Sequence, residues 1–454
     1  MTPGGPGSIT WASRLHLQAP MPFVRLVRAN LSPELWRPAV AGVMLCIATT
    51  TAAAQTALTW DQVRVRFLAA NPTVRAGQVA VEEARADEIT AHLRPNPEVS
   101  GAFDQFPLVG DVTNPWPNLA FEGSLSYLVE RRHKRDLRLN SAQGATSIAM
   151  SAQADSVRTL LFDLRAAFVQ TLQAKAFQTL AQQNLQSYDQ LLTVSREQLQ
   201  AGDIAQIDFD RLQLARVEYE ADVQTADVNL RTAKIELLRL LNDRTPLDQF
   251  DVTGVYDFAE SIPALDSLRQ TALDTRPDLK AASQAVAKAT IDHRLAIANG
   301  STDPIVGVNV GNQTNPDNSD PPLSTWFGVG VSIPLRIFDR NQGEKLRTEL
   351  DIGRNERLLE AMRAQVLSDV DSGYATAMST VALLRPYKTT YLDQATRVRD
   401  TVTFSYQSGG ASLIELLLVQ QEYRAVRVTY VNLVAAFLNA VNQLNLAVGR
   451  EVIP

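Results

Sequence analysis

The feature that most constrains this 454-residue chain is that it contains itself twice. Stepping alternately by four and three residues from Val419 gives Tyr423, Val426, Tyr430, Leu433, Phe437, Ala440, Leu444 and Ala447, an unbroken apolar seam of the kind that packs one helix along another. The same walk 207 positions earlier gives Leu212, Arg216, Tyr219, Val223, Ala226, Leu230, Ala233, Leu237 and Leu240, apolar except at Arg216. Elsewhere Asn71-Pro72-Thr73-Val74-Arg75-Ala76 recurs as Arg276-Pro277-Asp278-Leu279-Lys280-Ala281, Pro97 as Pro304, Ser126 as Ser332, Gly202 as Gly409 and Asp208 as Glu415. A duplication of this length overrides the length-based expectation of two or three unrelated domains. The expected organisation is a leader over 1–54, a first repeat over 55–242 (helix, two strands, long helical hairpin), a linker over 243–263 and a second repeat over 264–454.

Residues 1–54 read as a secretory signal: Arg25, Arg28 and Arg37 precede the apolar run 38–48, which ends in Ala52-Ala53-Ala54. Met21 is an alternative start. Cys46, the single cysteine, follows Leu45 rather than the small residue a lipoprotein signal needs, so simple cleavage is expected. Without the leader the chain carries 39 basic and 48 acidic side chains, a net charge of -9. That balance argues against nucleic acid as a partner.

Residues 58–93 read as one helix, stopped by Pro95 and Pro97. Two strand-like pieces follow, 98–106 and 119–130. In the second, Leu119, Phe121, Gly123, Leu125, Tyr127 and Val129 alternate with Ala120, Glu122, Ser124, Ser126, Leu128 and Glu130. The second repeat alternates in the same way, with Val306, Val308 and Val310 in one strand and Phe327, Val329, Val331 and Ile333 in the other. Trp116 and Trp326, near strand ends, suit either an interfacial aromatic belt or a plug on a soluble sheet. After each hairpin the pattern predicts a very long helix, over 134–201 and 341–408, interrupted by no proline except Pro386. At 1.5 Å per residue each would run roughly 100 Å. Each turns back at Gly202 or Gly409-Gly410. A second stripe on the first returning helix, Ile207, Leu214, Ala221, Val228 and Ile235, predicts neighbours on two sides.

Four strands with one apolar face and unpaired edges are unstable alone, in water or in lipid. Closure across copies resolves this: barrels need about eight strands or more, so a dimer barely closes and a trimer gives twelve. The strands, rather than a helix, are expected to cross the membrane, which points to the outer membrane of a double-membraned bacterium.

The duplicated layout over about 58–450, the segment Ile333-Pro334-Leu335-Arg336-Ile337-Phe338-Asp339-Arg340-Asn341-Gln342-Gly343 and the turn Tyr406-Gln407-Ser408-Gly409 together resemble the TolC family of outer-membrane efflux proteins, and the Phe-Asp-Arg-Asn-Gln-Gly run resembles its CzcC-like branch, associated with heavy-metal RND pumps. The resemblance implies a mainly α protein with a transmembrane β-barrel, a homotrimer whose twelve-stranded barrel joins a twelve-helix periplasmic α-barrel. It also implies a passive exit duct that conducts heavy-metal cations and works with a periplasmic adaptor and an inner-membrane RND transporter. By position it places Asp208, Glu415 and Tyr406 at the periplasmic pore mouth and Gly202, Gly409 and Gly410 in the tip turns that meet the adaptor. The opposing reading of Asp208 and Glu415 is that acids near helix N-termini simply complement the dipole. Ala411 and Leu418 stand where the family pattern suggests an Arg and a second Asp. The alternatives are a duct for drugs or secreted protein, and a periplasmic coiled-coil scaffold. No enzyme is expected: His92, His133 and His293 are scattered, and no phosphate loop, metal-ligand spacing or cofactor motif is present.

Overall fold

The computed structural model describes residues 57–104, 120–259, 261–314 and 323–453. The helix expected over 58–93 is two helices, α1 (Trp60–Ala70) and α2 (Pro72–His92). Pro72 brings no N–H and a ring that blocks the preceding turn. Asn71 converts the break into a cap, its Oδ1 accepting from Thr73 N–H at 2.9 Å and Val74 N–H at 3.2 Å. The second repeat breaks identically between α5 (Leu265–Thr275) and α6 (Pro277–Asn299). There the cap position holds Arg276, buried and paired with Asp278 at 2.6 Å and Asp369 at 2.8 Å.

Strands β1 (Glu98–Asp104), β2 (Ala120–Leu128), β3 (Ile305–Thr314) and β4 (Leu323–Ser332) form one antiparallel sheet in the order β1-β2-β3-β4. The β2–β3 ladder joins the repeats, and β1 and β4 are the edges. Register aligns Val99 with Leu125 and Val308, and Phe103 with Phe121. Val306, Val308 and Val310 pair with Val331, Val329 and Phe327. One face is therefore apolar across these rows, giving way to Asn312 and Thr325 beside Phe121, and it is open: Val99 is 82 % exposed and Val329 73 %.

α3 (Lys134–Ala201) is continuous over 68 residues. Its counterpart is not, contrary to the single helix expected over 341–408: α7 (Gln342–Pro386) passes through a π-helical turn (Tyr387–Tyr391) into α8 (Leu392–Gln407). Pro386 removes a donor and crowds the carbonyl of Ala382, and the widened turn just after it absorbs the misfit. The chain returns through α4 (Gln206–Leu240) and α9 (Leu413–Val448). By length and composition α9 is apolar enough to cross a membrane, with a mean hydropathy of 1.4, but half of that window is buried. Phe437, Val441, Leu444 and Val448 pack on Val366, Val370 and Val381 of α7, so its apolarity serves helix packing.

Each repeat has its own base core, Phe67, Leu164, Phe168 and Leu237 in the first and Leu268, Val370, Leu384 and Phe437 in the second. The tips share one core from both repeats. The segment over 243–259 runs across the helices: Leu58 N–H donates to Asp251 C=O at 2.9 Å, Phe250 and Val252 bury in the first core, and Tyr256 Oη donates to Val431 C=O at 2.8 Å. The seams read from the sequence are covered along their length, whereas Ile207, Leu214, Val228 and Ile235 of the second stripe are 54–73 % exposed.

Candidate functional site at the helix tips

Both tip turns use the same backbone solution. Gly202 has φ 84° and Gly409 φ 77°, the left-handed region that an L side chain resists. Gly202 N–H donates to Leu199 C=O at 3.1 Å and Asp203 N–H to Gln198 C=O at 2.9 Å. Gly409 N–H donates to Tyr406 C=O at 3.0 Å and Gly410 N–H to Ser405 C=O at 2.7 Å. This is the Schellman pattern, which satisfies the last helical carbonyls. A Cβ at Gly202 or Gly409 would meet nothing within 4 Å, so the requirement is conformational. Gly410 differs: it occupies the place of Asp203, lies outside the left-handed region, and a Cβ there would sit 3.0 Å from Ser405 Oγ.

The N-caps of the returning helices lie three residues before the two candidate acids, Ala205 capping α4 and Ser412 capping α9. Asp208 and Glu415 thus hold the same position, but the caps differ and so do the acids' surroundings. Ser412 Oγ accepts from Glu415 N–H at 3.2 Å, and Ser412 N–H donates to Glu415 Oε2 at 2.7 Å, a capping box. The Ser412 backbone N–H, then its hydroxyl, hold the Glu415 carboxyl below the usual carboxylate range. Ala205 has no hydroxyl to offer Asp208, and its side chain makes no cap hydrogen bond. Asp208 is half-buried, and its charge, after burial, pushes up the hydroxyl of Tyr406.

Tyr406 is 7 % exposed and packs with Tyr188, Leu192, Phe209, Leu413 and Leu416. The expectation that it lines the mouth is therefore corrected within the chain: it is a core residue of the tip, and its hydroxyl has no hydrogen-bond partner there. Ser195 Oγ and Gln198 Oε1 are likewise buried and unpartnered, while Gln198 Nε2 donates to Gln407 C=O at 2.9 Å. Ionic ties lace the surroundings: Arg216, the one polar residue of the first seam, meets Asp189 of α3 at 2.5 Å, and Arg424 of α9 reaches Glu218 and Asp222 of α4 at 3.6 and 3.5 Å. Sequence reasoning missed Ser412, Ser195 and Gln198. The Ser-x-x-Glu spacing of a capping box was the available signal for the first; nothing local marks the other two.

The strand ends give a second correction. Trp326 belongs to the row Ala102–Glu122–Gly311–Trp326, on the polar face, because Phe327, Val329 and Val331 take the apolar one. A lipid-facing belt needs the apolar face, so Trp326 is not a belt residue. Trp116 lies outside the described residues. The histidines are not brought together: His133 faces Asp136 at 3.2 Å and His293 faces Thr348 at 3.0 Å. Among the described residues, no group of three His, Cys, Asp or Glu is placed to hold a metal ion.

Comparison with known proteins places this architecture. The family described as Outer membrane efflux protein matches residues 268–450. The cobalt-zinc-cadmium resistance protein CzcC of Cupriavidus metallidurans is 24 % identical over 328 residues, covering 71 % of this chain and 75 % of that protein. Nodulation protein T of Rhizobium leguminosarum biovar trifolii is 23 % identical over 366 residues, covering 73 % and 72 %. The crystal structure of CusC superposes with a TM-score of 0.69 at 18 % identity, covering 86 % of this chain and 92 % of CusC. The matched repeat, the relatives along most of its length and the shared fold make this chain similar to the outer-membrane efflux proteins.

Proposed function

We propose that three copies close into a duct through the outer membrane, with the long helices extending into the periplasm, and that this duct is the exit stage of a tripartite efflux pump. Outer-membrane efflux channels form trimers and work with an adaptor and an RND transporter. The observation that carries the reading is the sheet: four strands with two free edges, an open apolar face and an opposite face of small and polar side chains. In lipid every strand edge must be paired, and three such sheets joined edge to edge leave none. The exposed stripe Ile207, Leu214, Val228 and Ile235 gives the helices a matching surface for a neighbouring copy.

The cargo we assign is heavy-metal cations, after the relative named for cobalt, zinc and cadmium resistance. Passage needs a favourable field along the wall and no tight coordination, since a duct must release what it carries. Asp208, beside Tyr406, is the acid we place at the periplasmic mouth, with Glu415 contributing charge from its capped position. The turns at Gly202 and Gly409-Gly410 are the rigid knobs offered to the adaptor. The relative named for nodulation supports a second reading, a duct of the same build for another cargo.

The test is physical. A barrel trimer stays with outer membranes after a carbonate wash, migrates faster unheated than heated in detergent, and opens conducting steps in planar bilayers. A monomer released by the wash would refute the duct. Deleting the gene and measuring zinc, cobalt and cadmium tolerance separates the two cargo readings.

A further inference from the structure

The described strands hold three charged side chains, Glu98, Asp104 and Glu122; all are acidic, and all lie on the polar face. Chance does not favour that face, because strand parity alone decides it. Glu122 is the most constrained of the three. Asn309, on the neighbouring strand, donates from Nδ2 to Glu122 Oε1 at 3.0 Å. One row further in, Ser100 and Ser124 share a hydrogen bond of 2.7 Å.

Two glycines shape the wall around this pair. A Cβ at Gly311 would stand 2.3 Å from the Trp326 ring, and a Cβ at Gly328 would stand 2.5 Å from Asn309 Oδ1. Their bare backbones are what allow the indole and the amide to lie against the sheet. Gly311 stands between Glu122 and Trp326 in one cross-strand row, so a carboxylate and an aromatic ring border the same patch.

We propose that Glu122, positioned by Asn309 and flanked by Trp326, sets the cation selectivity of the outer half of the duct, independently of the acids at the helix tips. The inference rests on the trimeric-duct reading, in which the polar face lines the lumen. Twelve strands about 4.8 Å apart and tilted by about 40° close into a barrel roughly 12 Å in backbone radius. Glu122 extends inward from that wall, and the Debye length is about 8 Å at 0.15 M salt. Three carboxylates therefore hold a negative potential across much of the lumen, with no basic residue in the described strands to offset it. The exposed face of the Trp326 ring adds attraction for cations. At 1 M salt the Debye length shrinks to about 3 Å and the centre of the lumen is screened.

Planar-bilayer recordings in potassium chloride gradients test this through the cation-to-anion permeability ratio. Near 0.1 M, Glu122→Gln should lower the ratio about twofold or more, Asn309→Leu should lower it less, and both effects should fade near 1 M. The Glu122→Gln decrement should persist in an Asp208→Ala/Glu415→Ala background. An unchanged ratio in Glu122→Gln channels overturns the inference and leaves the duct intact. Face assignment is checked by cysteine substitution, since the chain's single cysteine, Cys46, lies outside the four strands. A charged thiol reagent added to open channels should reduce current through Ser124→Cys and spare Leu125→Cys; the reverse pattern also overturns it. Failure of the parent protein to conduct at all would instead sink the duct reading beneath it.

Discussion

Replacing Arg276 by Met should destabilise the second repeat and reverse part of its response to acid. The guanidinium is 5 % exposed and binds Asp278 at 2.6 Å, Asp369 at 2.8 Å and the Ala447 carbonyl at 3.1 Å. Removing one partner of a buried ionic network costs about 3–5 kcal/mol, and because Asp369 is a third exposed we take the lower end. At no more than about 2 °C per kcal/mol for a chain of this size, melting should fall by about 5 °C. The pH dependence is the sharper signature. Burial pushes the Asp278 carboxyl up, but Arg276, aided by Arg158 at 3.6 Å, outweighs it and holds the group below the usual range. A depressed carboxylate contributes stability above its unfolded pKa, and that contribution is lost as pH falls through the folded value. Without Arg276 burial prevails, the folded pKa rises above the unfolded one, and protonation relieves the variant. Circular-dichroism melts of the detergent-solubilised protein should therefore show the gap to the parent narrowing between pH 7 and 4.5. A gap that stays constant or widens on acidification would refute this account, as would a melting loss under 1 °C. Adding Asp278→Asn to the variant should recover part of the loss at pH 7.

Asn71→Ala removes the cap of α2 and the Nδ2 bond to the Leu240 carbonyl at 3.1 Å; a loss of about 1–2 kcal/mol is expected, read as a lower urea midpoint. Gly409→Ala should cost about 1 kcal/mol through its positive φ, seen as faster amide exchange at the tip, whereas Gly410→Ala should be nearly neutral once Ser405 rotates. Val329→Arg, on the open apolar face, should abolish membrane assembly at about 2–4 kcal/mol per copy, while Ser124→Arg on the opposite face should still assemble, as gel mobility of unheated samples reports. Tyr188, Tyr219, Tyr256, Tyr406 and Tyr430 all have hydroxyls pushed up chiefly by burial. Their contribution to stability is complete below the unfolded pKa near 10 and declines as pH rises towards the folded values. Ultraviolet titration should therefore show them ionising only together with alkaline unfolding.

Periodicity made most of the fold legible. A strand's alternation fixes which face each side chain takes, so Val306 to Val310 and Phe327 to Val331 declared the apolar face before any partner was known, and the four-three walk from Val419 declared the packed side of α9. The same parity already placed Trp326 opposite Phe327; closeness to a strand end was given more weight than the face it implied. Pro72 and Pro386 were visible, yet proline is tolerated in a helix's first turn and elsewhere can bend a helix without ending it. Whether the chain breaks at Asn71 or widens at Tyr387 depends on the carbonyls around it. Tyr406 was misread for a different reason: its burial comes from α3, α4 and α9 meeting over it, and no local pattern in 400–410 carries that information.

The tip shows what duplication conceals when read only as repetition. Asp208 and Glu415 align, and an argument from position counts six equal carboxylates around a trimeric mouth. The residue three places earlier makes them unequal. Ser412 draws Glu415 back onto the helix end, where its charge complements the exposed N–H groups and the dipole. Ala205 has no hydroxyl with which to hold Asp208, whose charge adds to burial in pushing up the Tyr406 hydroxyl. Exchanging the caps tests the distinction directly. Ala205→Ser should give Asp208 a capping partner and raise the stability of α4, at the expense of its influence on Tyr406. Ser412→Ala should remove the hydroxyl from Glu415 but keep the backbone N–H, so its carboxyl should stay below the ordinary range by a smaller margin. If the two substitutions shift channel conductance equally and in the same direction, the acids are equivalent and the asymmetry has no bearing on the mouth.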